Sequence, residues 1–392
     1  MPPNFDVKID RENTGSIKWD YYRERFEIRD ILPMWVADMD FPSPAEVAAA
    51  IKHRADHPVF GYTKVSESYN EAVIQWVKRR SHWEIGREWI VHTPGVVTSI
   101  ITAILAYTHA GDKVLIQSPV YHPFYSSVTG NERQLVINPL KLEGESYVID
   151  FDDLGNKLRQ GVKMMILCSP HNPVGRVWEK SALIQIAELC ARYKVILVSD
   201  EIHGDLIYHG NSHIPITSVS GKLLQNSITC ISATKTFNLA GLAESVTLIP
   251  NPDLRDKFQQ TLKKTGAGML NIFGLVAAEA AYTHGEPWLE ELLDYLSLNR
   301  QILTDYFSAN ISQIKVIKPE GTYLAWLDCR RLSMKAGELE EFFIKQARVG
   351  LNDGRIFGVD GSGFQRINFA CPRGLLFEGL QRIENAVKMI NH

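Results

Sequence analysis

Lys235 stands in the stretch Ser232-Ala-Thr-Lys-Thr-Phe-Asn-Leu-Ala-Gly241, between a β-rich run and a glycine. Its amine can condense with an aldehyde to give a Schiff base, although a lysine taken alone is more often a solvated surface charge. Its company changes the reading. Apolar runs of strand length recur at 114–116, 134–137, 163–167, 195–198, 228–231 and 245–249. Tyr121 follows the first, His171-Asn172-Pro173 the third, Asp200 the fourth and Lys235 the fifth. In open α/β sheets ligands bind outside the carboxyl ends of strands, so these four ends can face one ligand.

That set suits pyridoxal phosphate (PLP). The pyridine nitrogen must stay protonated for the ring to draw electrons, and a carboxylate such as Asp200 favours that form. An Asp ending a strand is also often a cap or loop residue. Asn172 can donate its amide to the phenolic oxygen and Tyr121 can stack on the ring. The helix opening at Pro94-Gly95 offers free N–H groups at Val96 and Val97, which with the Ser232 and Thr234 hydroxyls suit a phosphate. The carboxylate of an amino-acid substrate calls for a bidentate arginine. Arg366, in GFQRINFACPRG, is the candidate, and a strand arginine also serves in surface ion pairs.

Positioning these groups requires a scaffold. Helical segments such as 182–193 lie between several of the apolar runs, which gives a mainly parallel sheet covered on both faces, an α/β fold. The run ILPMWVADMDFPSP from Ile31 reads as an extended arm, because its prolines forbid a helix through them. Helices are expected from about Ala45, over 67–80, from Pro94-Gly95 to Ala110-Gly111, over 253–264 and 273–282, and in a long bridging segment at 290–307. Strands at 316–317, 323–327 and 364–369 with helices at 338–346 and 376–390 make a smaller α+β C-terminal unit. The expected division is an N-terminal arm (1–45) packing with the small domain, a large cofactor-binding domain (46–285) and the small domain itself (286–392). GVDGSG (358–363) is a loop whose spacing is G-x-x-G-x-G, which does not support a dinucleotide site.

Composition narrows the function further. The chain has 392 residues, 45% of them hydrophobic and 22% charged, and a net charge of −3, so it has no field for gripping nucleic acid. No apolar run approaches a membrane span and residues 1–16 show no secretory h-region. Five widely spaced cysteines without a C-x-x-C pair read as reduced thiols of a cytoplasmic protein. Twelve histidines include no H-E-x-x-H, so no metal is expected.

The order PGVV, PVYHPFY, SPHNPVGRVW, SDEIHGDL, SATKTFNLAGL, RINFACPR resembles the fold-type I PLP enzymes along nearly the whole chain. LPMWVADMDFPSP, SPHNPVGRVW and DEIHGDL are similar to the MalY/PatB group of aminotransferase-like cystathionine β-lyases, or C–S lyases. The resemblance implies a seven-stranded, mainly parallel sheet. It assigns PLP to Lys235, the pyridine nitrogen to Asp200, the phenolic oxygen to Asn172, ring stacking to Tyr121 and the substrate carboxylate to Arg366. It also implies a homodimer in which the partner's Tyr62 reaches the cofactor phosphate and the substrate. Two departures from the aminotransferase pattern favour the lyases. Ala243, eight residues after the lysine, replaces a phosphate-binding arginine, and His203 replaces a tyrosine near the cofactor. The implied reaction is α,β-elimination of a sulfur amino acid to a thiol, pyruvate and ammonia, with homocysteine as the thiol from cystathionine. An aminotransferase of the same fold is the alternative, and a lyase with an added protein-binding regulatory role is a second. Tyr323 is open between pocket lining and strand packing.

Overall fold

The computed structural model describes residues 3–21, 28 and 30–390. A seven-stranded sheet forms its centre, in the order Ile90–Thr93, Ser245–Leu248, Ser227–Ile231, Ile196–Asp200, Val162–Cys168, Lys113–Ser118, Gln134–Pro139. Only Ser245–Leu248 runs against its neighbours. The five strands from Ser227–Ile231 to Gln134–Pro139 pair in parallel, so their carboxyl ends share one edge. The four inner ones are almost continuously buried, as expected of strands with helices on both faces, while Gln134–Pro139 at the edge is largely half-buried.

Six of the seven strands coincide with the apolar runs. The seventh, Ile90–Thr93, is a four-residue piece beside the Pro94-Gly95 helix start, too short to give a period of its own. The hairpin Lys141–Glu143 with Ser146–Val148 was likewise not expected from the sequence. The helices follow their caps. Ser66 accepts from the Tyr69 N–H at 3.0 Å and opens Glu67–Ser81; Asn251, followed by Pro252, opens Pro252–Lys264.

The bridging helix spans Glu286–Asn310 and buries Leu289, Leu292, Leu296, Leu303 and Phe307 along one stripe. Asn299 on that stripe is buried, and its amide donates to the Phe369 and Cys371 carbonyls at 3.0 and 2.9 Å, tying the helix to the C-terminal segment. There a four-stranded antiparallel sheet has the order Lys315–Ile317, Leu324–Asp328, Phe364–Asn368, Asn352–Asp353. The N-terminal arm joins this part of the molecule through Leu32–Pro33, which pairs in parallel with Val349–Gly350. The segment expected as one helix over 338–346 is α-helical over Ala336–Glu341 and continues as a π-turn over Phe342–Gln346. All five cysteines are buried free thiols. Among the described residues no helix is long and apolar enough to cross a membrane.

One close approach in the C-terminal part bears on the site. Gly354 and Gly361 pack backbone against backbone, so a Cβ on either would run into the other's carbonyl oxygen. This contact sets the turn carrying Phe357, whose carbonyl accepts from the Val120 N–H at 2.9 Å and the Tyr125 hydroxyl at 2.7 Å. The Phe357 ring in turn lies 4.8 Å from the Arg366 guanidinium. Gly354→Ala is therefore expected to lower stability by about 1–3 kcal/mol, read as a lower urea midpoint. Gly374→Ala, in the open first turn of Arg373–Ile390, should be neutral or stabilising by about 0.5–1 kcal/mol.

Candidate active site

Four adjacent strand ends meet at one cavity of about 230 Å³, lined by Tyr121, Asn172, Asp200 and Lys235. Parallel neighbours lie about 4.8 Å apart, so residues just past their ends converge although they are scattered over more than a hundred positions in sequence. His203 and Thr234 also line the cavity, as do Val96 and Val97 from the opening of helix Val96–Tyr107. Ala243, where an arginine would be expected in many aminotransferases, contributes to the same wall.

Each group is tuned by its surroundings. Lys235 opens onto the cavity but is screened from bulk water by protein, and this desolvation pulls its amine down from the usual lysine value to about 8; Asp38 and Asp200 act in the opposite direction and Arg366 adds to the lowering. Its Nζ donates to the Ala37 carbonyl at 2.6 Å. Asp200 is buried with one backbone donor, the Ile202 N–H at 3.1 Å, and burial pushes its carboxyl up to about 7. A cation placed opposite it would restore the ionised form. Burial likewise raises the Tyr121 hydroxyl, with Asp200 adding to it, and lowers His203 to about 3, with Lys235 and Arg366 adding to that. His203 is therefore neutral at physiological pH, and its ring meets Tyr323 edge-on with centroids 5.8 Å apart.

Arg366 is fully buried, which lowers its guanidinium to about 10 and leaves it charged. Nη1 donates to Asn172 Oδ1 at 3.0 Å, and Nη2 donates to the Trp35 carbonyl at 2.9 Å and to Asn352 Oδ1. The bond to Asn172 fixes which way that amide faces, because with its oxygen occupied the NH₂ remains as the donor. Arg366 thus stands behind Asn172 rather than among the residues lining the cavity. Its Nε is buried without a partner among the described residues.

At the opposite end Gly95 begins the helix with φ 138°, a conformation other residues resist, and no side chain caps the first turn. The N–H groups of that turn, with the positive end of the helix dipole, form an anion-ready surface. Thr234 lines the cavity, but its hydroxyl proton is directed to Ser232, 2.7 Å away; Ser232 is committed elsewhere. Its hydroxyl donates to the Glu244 carbonyl at 2.6 Å and accepts from the Thr234 N–H at 3.1 Å, capping the short helix that carries Lys235. Tyr62 is fully exposed on a surface with Val59, Phe60 and Met269, and it does not line the cavity of its own chain.

The sequence reading missed the part played by main chain. Ala37 lines the cavity through the arm, and its carbonyl accepts from both Lys235 and the Tyr323 hydroxyl, the latter at 2.8 Å. Tyr323 is thus buried against the arm rather than merely packed in a strand. The acidic pair in ADMD was a signal for this segment, but carbonyl positions leave no trace in side-chain pattern. Glu244 is another unexpected neighbour, a buried carboxylate 3.6 Å from His92 Nδ1.

The family model for aminotransferase class I and II matches residues 29–383. The chain is 42% identical over 385 residues to the cystathionine beta-lyase PatB of Bacillus subtilis, covering 98% of this chain and 100% of that one. Among solved structures, cystalysin from Treponema denticola, which contains pyridoxal 5′-phosphate, superposes with a TM-score of 0.97 at 38% identity, covering both chains in full. The PLP-bound C–S lyase of Staphylococcus hominis superposes with a TM-score of 0.91 at 34% identity over 98% of each chain. A family match across most of the sequence, on a fold shared from end to end, means that this chain belongs to the class I and II aminotransferase family.

Proposed function

We propose that this protein is a PLP-dependent carbon–sulfur lyase of the cystathionine β-lyase type, converting sulfur amino acids to a thiol, pyruvate and ammonia. The observation that carries the reading is a screened lysine amine and a buried carboxyl lining one cavity, each shifted by burial towards its neutral form. PLP fits them both. The lowered Lys235 amine is easier to deprotonate for condensation with an aldehyde, and the under-partnered Asp200 suits a protonated ring nitrogen. Ala243 beside an uncapped helix start matches the lyase-like departure from the aminotransferase pattern, and relatives bearing lyase names span the whole chain.

When bound, PLP supplies an aldehyde for exchange with the substrate amine and a protonated ring that takes up the electron pair left on Cα. Asp200 would hold the ring-nitrogen proton, the Asn172 amide would donate to the phenolic oxygen and Tyr121 would stack on the ring. Val96 and Val97 N–H groups would receive the phosphate, joined by the Thr234 hydroxyl on turning from Ser232, which shapes the loop that carries it. Arg366 supplies the positive charge behind Asn172 towards which the substrate carboxylate would be drawn, and the neutral His203 fills the wall without adding charge. Lys235 would remove the Cα proton as general base, and a thiolate would then leave Cβ. Residues 46–285 form the cofactor-binding domain, and the arm with 286–392 supplies the substrate side. The exposed Val59, Phe60, Tyr62 and Met269 surface suits a second copy of the chain, whose Tyr62 would complete the phosphate end.

Assaying thiol and pyruvate release from cystathionine, cysteine, cystine and an S-alkylcysteine tests the reaction. Amino transfer to a keto acid without pyruvate release would establish an aminotransferase instead. Lys235→Ala should abolish both pyruvate release and the Schiff-base absorbance, and a variant retaining either would refute the assignment of Lys235. A pH dependence follows from the lowered amine. The neutral form dominates above about pH 8, so loading of cofactor-free protein with PLP should accelerate as pH rises through about 8 and level off beyond it. A loading rate independent of pH in that range, followed by absorbance, would contradict this.

A further inference from the structure

The segment Trp35–Asp38 presents four consecutive carbonyls to side chains at the site. Trp35 O accepts from Arg366, Val36 O and Asp38 O both accept from the Asn368 amide at 2.6 Å, and Ala37 O accepts from Lys235 and Tyr323. Such a strip has no regular secondary structure to fix it, so something else must. Arg11 supplies part of the answer: its guanidinium grips both Asp38 oxygens at 3.0 and 2.8 Å and reaches Asp40 Oδ1 at 2.6 Å. Lys18, only 1% exposed, places its ammonium 2.6 Å from Asp40 Oδ2. The Trp19 indole adds a bond to Asp40 Oδ1 at 2.8 Å, and the Trp35 indole donates to the Lys18 carbonyl at 3.1 Å.

Two cations and two carboxylates therefore lock the arm just after Ala37, and the Trp35 indole ties it to Lys18 just before. Taking Asp40 and Lys18 out of water is expensive unless they pair in good geometry, so this clamp has one favourable arrangement and resists drift. It makes no contact with the cavity itself. It reaches Lys235 through the carbonyl strip and through the field of Asp38, which opposes the lowering of the amine by burial.

We propose that Arg11, Lys18 and Asp40 are positioning residues for proton transfer: they hold the Ala37 carbonyl where Lys235 donates once it has become an ammonium. The inference rests on Lys235 acting as the base of a PLP enzyme. In that step the Cα–H bond breaks, the proton forms a new N–H bond on the neutral Lys235 amine, and the electron pair stays on the substrate side. The resulting ammonium needs an acceptor away from bulk water, and Ala37 O, oriented also by Tyr323, is the one it already uses. A displaced carbonyl leaves that ammonium without its acceptor and slows the transfer.

The test uses holoenzyme and L-alanine, which has a Cα proton but no β leaving group. Exchange of that proton with deuterated solvent, followed by NMR, reads the base step apart from elimination. Arg11→Gln keeps the buried Lys18–Asp40 pair and is the milder variant; Asp40→Asn breaks the clamp at its centre. Both are expected to slow exchange at saturating alanine by about tenfold or more, with half-saturation changed by less than about threefold and Schiff-base absorbance retained. Arg11→Lys should recover only part of the rate, because an ammonium cannot grip Asp38 in a bidentate fork while touching Asp40. Amide exchange across 31–41 should quicken in Arg11→Gln. Wild-type exchange rates in a folded, PLP-loaded Arg11→Gln protein, or full recovery in Arg11→Lys, would overturn the proposal. Absence of exchange in the wild type would instead overturn Lys235 as base, and the clamp's role with it.

Discussion

Desolvation of charge is the constraint on which the rest of this structure depends. Lys235 and Asp200 at the cavity and Arg366 behind Asn172 are all withdrawn from bulk water, and burial moves each towards its neutral form. A buried charge is tolerated only where partners are fixed in place. Fixing them is what the surrounding architecture does. Parallel strand ends supply Asp200 and the turn to Lys235, a C-terminal strand supplies Arg366, and an arm from the start of the chain supplies carbonyl acceptors to two of the three.

The same constraint explains why the site is shared between two sheets. The seven-stranded sheet provides reactive groups at one edge, where loops leave in a common direction. It offers no cation behind Asn172. Arg366 comes from strand Phe364–Asn368, held by pairing to Leu324–Asp328 and by the Gly354–Gly361 contact near Phe357. The bridging helix Glu286–Asn310 carries Asn299, which bonds the segment just beyond that strand. Shifts in the C-terminal part therefore reach Arg366 and, through Asn172, the cavity.

At the start of helix Val96–Tyr107 the balance differs. Without an arginine at 243, the anion-ready surface consists of backbone N–H groups at an uncapped helix start, joined by the Thr234 hydroxyl once it turns from Ser232. Gly95 allows this because its backbone adopts a φ that side-chain-bearing residues rarely take. Partial charges on fixed amides carry no net charge to desolvate, so they suit a buried site. Glu244 lies nearby, with His92 within 3.6 Å as its neighbour.

Much of this was legible in the sequence. Apolar runs of strand length separated by helical patterns specified a mainly parallel sheet, because a strand buried on both faces must be apolar along its length. The residues at the ends of those runs then followed, and Tyr121, Asn172, Asp200 and Lys235 do converge. Short elements escaped notice: Ile90–Thr93 and the hairpin at 141–148 have too few residues for a period to emerge. Side-chain chemistry alone also could not tell that Ser232 caps a helix while Thr234 faces the cavity, since both are hydroxyl residues two positions apart. What the sequence determined by itself was the order and type of the reactive groups, because local pattern fixes elements and their ends. What only the tertiary structure decided was their electrostatic state and their main-chain partners. Desolvation and the meeting of Ala37 with Lys235 depend on segments almost two hundred residues apart being folded together.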